Sequence, residues 1–314
     1  MREFIRYATL APNGHNTQPW RFEARAAAIT IRPDLTRRTP VVDPDDQHVF
    51  VSLGGAAENL CLACAARGRP GETTFNPAGE GKLEFSFGAT RAPEPALADA
   101  IPFRQSTRSD YDGQTVSVSD LKLLAEAAEM PGVDLVLITD RTQMDRARDL
   151  VMAGKSAQLS DPEFVRELKS WIRFNPHSAT DKGDGLFSVA SGNPSLPDWL
   201  GPSLIGMVLK PKADNEKYAR QIASSAGLAV FVSARADKDH WVRAGRASQR
   251  FALQATALGM KLAYLNQPVE VESLRSDLAS LAGLSGRRPD ILMRFGYGPA
   301  LPYSARRPVD AILA

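Results

Sequence analysis

The chain has little cysteine, almost no net charge and no expected membrane-spanning run. Its 314 residues include two cysteines, and 38 basic residues stand against 36 acidic ones, for a formal net charge of +2. This balance gives no electrostatic reason to expect nucleic acid as a partner. We expect no apolar run long enough to cross a bilayer and no signal-peptide core in residues 1–6, so no membrane partner is predicted. Few cysteines suit a reducing compartment, and we expect a cytoplasmic protein.

The two cysteines, Cys61 and Cys64, form a C-x-x-C within a pattern of small residues typical of a helix. Use of the pair for metal or redox chemistry would call for a second pair or nearby histidines, and neither is close in sequence. We interpret both as small buried residues one helical turn apart, and we expect no metal site.

Signatures of several enzyme classes are also missing. The sequence contains no G-x-G-x-x-G after a strand, no G-x-x-x-x-G-K, no H-E-x-x-H and no G-x-S-x-G. The four histidines are scattered along the chain, at His15, His48, His177 and His240. The sequence therefore identifies no catalytic residue.

Helical and strand patterns occur in two successive sets. The first set predicts helices over 2–11 and 47–67 and strands over 21–24, 29–31 and 83–87. The second set predicts helices over 118–129, 141–159 and 238–258 and strands over 133–138, 228–233 and 291–298. We predict an α+β fold.

The two sets resemble each other. Gly54 precedes Gly68 by the same interval as Gly245 precedes Gly259, and a strand ending in Phe-Gly follows each helix. This indicates an internal duplication, with halves at 1–103 and 104–314 forming one compact unit. The alternative is coincidence, because helix–glycine–strand is a common arrangement in chains with both element types.

Residues 11–20, which we call the polar loop, read Ala-Pro-Asn-Gly-His-Asn-Thr-Gln-Pro-Trp. Two prolines and a glycine oppose regular structure there. A rigid run of polar side chains ending in tryptophan suits the edge of a flat, hydrogen-bonding ligand. The corresponding place in the second half lacks such a loop, because Met130-Pro131-Gly132 runs directly into the strand at 133.

Residues 104–108, the basic segment, read Arg-Gln-Ser-Thr-Arg. Alternate residues of an extended segment point the same way, so Arg104, Ser106 and Arg108 can face one phosphate. The alternative is a pair of arginines solvated on a surface loop. No equivalent segment precedes the polar loop in the first half.

Two later segments add candidates. Residues 266–270 read Asn-Gln-Pro-Val-Glu, and Pro268 predicts an extended path that leaves the N–H groups of Val269 and Glu270 free for a ligand. The alternative is an ordinary loop entering a helix near Glu270. Near the end of the chain, Arg306 and Arg307 add two cations, which alone would indicate a solvated basic end.

Residues 171–201 belong to neither set of elements. Turn formers dominate there, yet the segment holds too many apolar side chains for a disordered linker, at Trp171, Phe174, Leu186, Phe187 and Trp199. A long, aromatic insertion of this kind is typical of a lid or packing flap.

Together, these segments resemble the FMN-dependent nitroreductase superfamily, and most of all its Acg-type members, in which one chain imitates the usual homodimer. The resemblance rests on Asn-x-Gln-Pro-Trp, Arg-x-Ser-x-Arg, Asn-Gln-Pro-Val-Glu and a terminal Arg-Arg-Pro, and it covers nearly the whole chain. It implies a nitroreductase-like fold with one FMN per chain, bound between the basic segment and the polar loop. The protein would be a monomeric pseudo-dimer or a homodimer.

The resemblance also implies roles for these residues. Arg104 and Ser106 would bind the FMN phosphate with help from Arg306 or Arg307, and Arg108 would stabilise the reduced flavin near N1 and O2. Pro268, Val269 and Glu270 would cover one face and offer a backbone N–H to N5. The other candidates for the flavin site are Pro12, Asn13, Gly14, His15, Asn16 and Gln267. Asn13-Gly14 replaces the family's usual pair of serines.

The function implied by the resemblance is an oxidoreductase. NADH or NADPH would reduce the flavin, and a small acceptor, a nitroaromatic or a quinone, would take the electrons. The alternative is a flavin-binding protein for storage, sequestration or regulation, with the insertion as a lid and little turnover. No residue argues for dehalogenation or flavin fragmentation.

Overall fold

The computed structural model describes residues 1–201 and 211–314. The first half contributes a short helix, a four-stranded antiparallel sheet and one long helix. Its elements are α1 (Arg2–Ala8), β1 (Trp20–Arg25), β2 (Ala28–Pro33), α2 (Gln47–Ala66), β3 (Gly71–Asn76) and β4 (Lys82–Phe87), followed by the connecting helix α3 (Pro95–Ala100). The strands lie in the order β1-β2-β4-β3. The first helix ends earlier than expected, and β3 was not predicted.

The second half repeats this plan with insertions. Its elements are α4 (Val118–Ala127), β5 (Val133–Ile138), α5 (Arg141–Ser160), α6 (Pro162–Trp171), β6 (Ile172–Arg173), α7 (Pro176–Lys182), β7 (Leu186–Phe187), α8 (Pro211–Ala223), β8 (Gly227–Ser233), α9 (Lys238–Ala257), β9 (Lys261–Tyr264), α10 (Gln267–Glu270), α11 (Arg275–Leu281) and β10 (Pro289–Gly296). The second sheet is antiparallel in the order β5-β8-β10-β9.

The two sheets therefore match strand for strand, as the predicted duplication requires. In each half the order along the chain is helix, strand, strand, long helix, strand, strand, once the elements between β5 and β8 and between β9 and β10 are set aside. The predicted α+β class is confirmed.

The halves meet where α2 crosses α9. A Cβ atom on Gly54 would lie 2.1 Å from the carbonyl oxygen of Val242, and one on Gly245 would lie 2.0 Å from that of Val51. The contact is reciprocal, because Gly54 corresponds to Gly245 and Val51 to Val242. Only glycine permits so close an approach of the two backbones. This requirement explains why Gly54 and Gly245 occupy corresponding positions in the two helices.

A buried carboxylate reinforces this contact. Glu58 of α2 has no exposed surface, and it binds Arg246 (2.8 Å) and Arg250 (3.0 Å) of α9 and also Arg91 (2.6 Å). Burial alone would raise the pKa of Glu58, but the three arginines hold it at about 2. The carboxylate is therefore ionised wherever the protein is folded near neutral pH.

Within the described residues, α2 is long and apolar enough to cross a bilayer, so the expectation that no run would qualify was wrong. However, 89% of that stretch is buried inside the protein. Cys61 and Cys64 lie in this helix, both free and fully buried, and burial raises the pKa of the Cys64 thiol to about 12. Their interpretation as buried core residues is confirmed.

The end of the chain returns to the first half. The N–H of Phe22 donates to the carbonyl of Ile312 (2.8 Å), and the N–H of Ala314 donates to that of Phe22 (2.8 Å). These bonds extend the first sheet with residues that follow the second. The return path also carries residues 304–308 past the polar loop.

Candidate functional site

A cavity of about 280 Å³ opens between the two halves, near the lower end of the ~300–1,000 Å³ range of small-molecule pockets. The polar loop and α2 line it from the first half. The basic segment, α5, α8, the insertion and the segment after β9 line it from the second. The predicted site residues among its lining are Pro12, Asn13, Gly14, His15, Ser106, Arg108, Gln267 and Glu270.

The basic segment runs in an extended conformation beside β9. Ser106 forms a bridge with Leu262, and the N–H of Thr107 donates to the Leu262 carbonyl at 2.7 Å. Thr107 is fully buried and Ser106 and Arg108 line the cavity, whereas Arg104, predicted to face the same ligand, lies outside the cavity lining. Arg104 is 6% exposed, so the alternative of a solvated arginine is wrong at that position.

Arg104, which is buried, and Arg306, which is half-buried, form a pair of cations at this segment. Nε and Nη1 of Arg104 are buried without a hydrogen-bond partner, and Nη2 makes only a 3.4 Å contact with the Leu10 carbonyl. Burial and the charge of Arg104 lower the pKa of Arg306 to about 9. Among the described residues, neither guanidinium has a carboxylate partner. Such a pair calls for an anion, and a phosphate is what arginine pairs bind best.

Arg306 is held in place by neutral oxygens. Its Nε donates to the carbonyl of Thr9 at 2.8 Å, and its Nη1 donates to Oδ1 of Asn16 at 2.9 Å. Arg307 points elsewhere, since its guanidinium donates to the Ala311 carbonyl and lies 3.9 Å from Asp34. Of the two cations predicted to assist at the phosphate, the structure therefore places Arg306 beside Arg104.

The polar loop contains one tight turn, at Gly14–Asn16, and is locally strained. His15, Asn16 and Gln18 have positive φ angles of 48°, 54° and 54°, which non-glycine residues rarely adopt. Oδ1 of Asn13 accepts a hydrogen bond from the Gln18 N–H at 2.7 Å and closes the turn. This closure presents the stretch from Pro12 to His15 to the cavity.

Two amides of the loop bind protein instead of facing the cavity. Nδ2 of Asn16 donates to the carbonyls of Gly185 and Ala305, both at 3.1 Å. Nε2 of Gln18 donates to the Gly183 carbonyl at 2.8 Å. Asn16, predicted to line the flavin, lies outside the cavity lining and fastens the insertion and the chain end to the loop.

The insertion is anchored by a buried ion cluster. Asp184 binds Arg173 (2.6 Å between Oδ1 and Nη2) and also Arg37 of the first half. This cluster and the two loop amides hold the insertion against the cavity, which Ile172 and Leu186 line. The predicted lid-like segment thus forms a wall of the site.

The segment 266–270 corrects a prediction. It forms the short helix α10, and the N–H groups of Val269 and Glu270 both donate to the Asn266 carbonyl at 2.8 Å. The expected extended path with free N–H groups was wrong, because proline also fits the first turn of a helix. Pro268 and Val269 are buried outside the cavity lining, whereas Gln267 and Glu270 belong to it.

The cavity brings together titratable groups that the sequence did not connect. Nε2 of His48 lies 3.5 Å from Oε1 of Glu270, and Oε2 of Glu270 accepts a hydrogen bond from Gln158 at 2.5 Å. Burial raises the pKa of Glu270. Nδ1 of His15 is buried without a partner, and burial followed by the charge of Arg108 lowers the pKa of His15 to about 4. No motif links residues so far apart in the chain, so sequence reasoning missed this cluster.

Cations outnumber carboxylates around the cavity. Lys155 lies 3.5 Å from Asp214, and Lys217 donates to the Ser191 carbonyl at 2.8 Å. Burial lowers the pKa of Lys217. The basic side chains that line the cavity besides the histidines are Arg108, Lys155 and Lys217, against the carboxylates of Asp214 and Glu270. The excess of positive charge favours an anionic or electron-rich ligand.

A second groove, of about 880 Å³, lies at the corresponding position of the other half. When Gly54 is laid on Gly245, Val51 of the cavity corresponds to Val242 of the groove. The turn at Pro131 lines this groove where the polar loop lines the cavity. No counterpart of the basic segment lies among the described residues that line the groove, so of these two positions the cavity alone combines the polar loop with the basic segment.

Comparison with known proteins agrees with the motifs. No family model matches the chain. A "Putative NAD(P)H nitroreductase" of Mycobacterium tuberculosis H37Rv is 25% identical over 324 positions, covering 100% of this chain and 90% of the relative. The Acg protein of the same organism, named likewise, is 23% identical over 330 positions, covering 99% of this chain and 94% of its own.

Solved structures were also compared. A "putative nitroreductase in complex with FMN" from Desulfovibrio desulfuricans is 18% identical, covering 71% of this chain and 96% of its own, with a TM-score of 0.40. A nitroreductase with bound FMN from Bacteroides fragilis is 15% identical, covering 67% and 94%, with a TM-score of 0.41. The full-length sequence relatives confirm the predicted resemblance: along its whole length the chain is similar to proteins named "Putative NAD(P)H nitroreductase", Acg among them.

Proposed function

We propose that the chain binds one FMN in the cavity and passes electrons from a nicotinamide donor to a small acceptor of the nitroaromatic or quinone class. The observation that carries this proposal is the pair of Arg104 and Arg306, which has no carboxylate partner among the described residues, beside a cavity lined by Ser106 and Arg108. The names of the full-length relatives, which specify NAD(P)H, support the donor class. We further propose that the protein works in the cytoplasm and completes its site as a monomer.

The chain's own residues fit this cofactor. Arg104, Ser106 and Arg306 would bind the phosphate, and Arg108 would place positive charge beside the ring system. Bound FMN would supply reversible two-electron chemistry, which the protein itself lacks. The residues of the cavity would orient the cofactor and the acceptor, and the insertion would limit access of water.

The proposal of one FMN per chain is supported by the asymmetry of the halves. Of the two corresponding positions, one has the polar loop and the basic segment, and the other has the turn at Pro131 and no basic segment. Purified protein is expected to show flavin absorbance at one FMN per chain. Two FMN per chain would contradict the assignment.

The phosphate assignment is tested with Arg104→Met and Arg307→Met. Arg104→Met removes a guanidinium that has no carboxylate partner, and FMN binding is expected to weaken by ~100-fold or more, the loss of one buried charge-assisted contact. The neighbouring cation Arg307 binds Ala311 and Asp34, so Arg307→Met is expected to keep FMN. Isothermal titration of the apo variants with FMN measures both. Equal affinity of Arg104→Met and the wild type for FMN would show that the phosphate binds elsewhere.

A second candidate function is flavin storage or sequestration, and the anchoring of the insertion favours it. Asn16, Gln18 and the Arg37–Asp184–Arg173 cluster all hold that wall closed. Anaerobic stopped-flow reduction by NADH and by NADPH separates the two functions. Bleaching of the flavin by either donor supports the oxidoreductase, and no bleaching by either supports sequestration.

A further inference from the structure

We propose that His48 and Glu270 together form the acid that delivers a proton to the acceptor as it is reduced in the cavity. This inference rests on the proposed oxidoreductase function. It adds catalytic residues to a site for which the sequence identified none. The two side chains come from opposite halves of the molecule, His48 from the first turn of α2 and Glu270 from the end of α10.

The geometry suits proton donation. His48 and Glu270 both line the cavity that Ser106 and Arg108 line, and their side chains are 11% and 20% exposed. The 3.5 Å between Nε2 and Oε1 exceeds the usual length of a hydrogen bond. No short hydrogen bond therefore holds the proton between these two atoms, and an acceptor oxygen can approach either of them.

Several polar and ionisable groups beside the pair are engaged with other parts of the protein or are uncharged. The carboxylate of Asp43 is occupied by the backbone N–H groups of His48 and Val49. His15, with a pKa of about 4, is neutral near neutral pH. Lys155 faces Asp214, and Gln158 holds the second oxygen of Glu270 without exchanging a proton.

The chemistry balances for a quinone acceptor. Reduction to the hydroquinone takes two electrons and a proton as a hydride equivalent, which the nicotinamide donor supplies by way of FMN, and one further proton. The N–H bond of the His48 imidazolium breaks, its electron pair stays on Nε2, and an O–H bond forms on the quinone. The neutral imidazole beside the Glu270 carboxylate then takes a proton from water. When the proton of the pair lies instead on Glu270, as burial of that carboxyl favours, the O–H bond of Glu270 breaks and its electron pair stays on the carboxylate.

The test separates the two half-reactions in the FMN-loaded protein. In His48→Gln and Glu270→Gln, reoxidation by benzoquinone is expected to slow by about 100-fold, and by much more than anaerobic reduction by NADH or NADPH slows. Wild-type reoxidation is expected to fall as rising pH removes the proton of the pair, and the variants are expected to lose this dependence.

The matched control is His177→Gln. His177 forms a similar pair with Asp181, at 3.2 Å, but its side chain is 83% exposed and outside the cavity lining. This variant is expected to keep both half-reactions and the pH profile. Reoxidation that slows equally in His177→Gln would show that the effect is not specific to the cavity and would overturn the proposal.

A readout without cofactor comes from carbon NMR of the side-chain carboxyl groups in the apoprotein. The carboxyl of Glu270 is expected to titrate at higher pH in His48→Gln than in the wild type, because the charge of His48 favours the carboxylate. Unchanged titration of Glu270 in His48→Gln, or unchanged reoxidation and pH profile in FMN-loaded variants, would contradict the proposed pair. A wild type that binds no FMN, or is reduced by neither donor, would instead overturn the proposed function on which the pair rests.

Discussion

At the scale of single residues, the site depends on charges placed where the folded chain leaves them unpaired. Arg104 has two buried nitrogen atoms without partners, and Arg306 is held by neutral oxygens. Uncompensated buried charge destabilises a folded protein, so these residues are retained at a cost to the apoprotein. An anion between them would remove the cost, which couples ligand binding to stability.

The apoprotein of Arg104→Met is therefore expected to be as stable as the wild type or more stable, by up to ~3 kcal/mol in the free energy of unfolding. Arg104 makes only one long hydrogen bond, so little is lost with it. Urea unfolding of both apoproteins measures the difference. Substantially lower stability of the variant would mean that Arg104 has a structural role that its contacts do not show.

At this scale the sequence predicted charge and location better than geometry. The alternation of an extended backbone predicted that Ser106 and Arg108 face the same side, and both line the cavity. The free N–H groups expected at Val269 and Glu270 are absent, because a proline is compatible with both extended chain and a helix start. The contact of His48 with Glu270 could not be predicted, because it depends on how distant segments pack.

At the scale of elements, the polar loop has two roles. It lines the cavity, and it holds the insertion in place through hydrogen bonds. Its amides at Asn16 and Gln18 bind carbonyls of the insertion, and Asp184 of the insertion binds Arg37 just after β2. Opening the insertion as a lid would break these hydrogen bonds and the contact between Asp184 and Arg37. The combined strength of these hydrogen bonds and of the ion pair therefore controls access to the cavity.

Asp184→Asn is expected to loosen the insertion, because it leaves Arg37 and Arg173 buried without a carboxylate. Amide hydrogen exchange within β6 and β7 should speed up by about tenfold or more, corresponding to at least ~1.4 kcal/mol of local stability. The exposed carboxylate of Asp181 on α7 provides the control, since Asp181→Asn should leave this exchange unchanged. Equal protection in both variants would show that the ion cluster does not hold the insertion.

The long elements were predicted closely and the short ones were not. The spans of α2 and α9 agree with the sequence patterns to within a residue, because a buried helical face and a glycine stop mark each. Strands β3 and β9 were not predicted. Each is short, begins soon after a glycine turn and lacks a clear alternation of apolar and polar residues. Their position is determined by pairing with β4 and β10, which no local pattern records.

At the scale of the whole molecule, two similar halves pack through α2 and α9 and share one site. We propose that the halves comprise residues 1–103 and 104–314. The reciprocal contacts of Gly54 and Gly245 set the distance between them, and Glu58 adds three arginine contacts. The cavity is built from both halves, so its shape depends on this packing.

Gly54→Ala is expected to destabilise the protein by about 1–3 kcal/mol or more, because the new methyl would lie 2.1 Å from the Val242 carbonyl oxygen. Gly55→Ala in the same helix is the matched control. Its methyl would meet Ala11 at 3.5 Å, an ordinary contact, so the higher helix propensity of alanine should leave stability unchanged or raise it by up to ~1 kcal/mol. Thermal unfolding compares the two, and equal melting temperatures would contradict the close approach.

The reciprocal crossing of α2 and α9 also has a consequence for how the protein can vary. In an assembly of identical subunits, every substitution appears on both sides of the symmetry axis. Here the position corresponding to His48 is Asp239, and the turn at Pro131 stands where the other half has the polar loop. Each half can therefore accumulate changes independently, and the groove at Pro131 is free to diverge while the cavity is preserved.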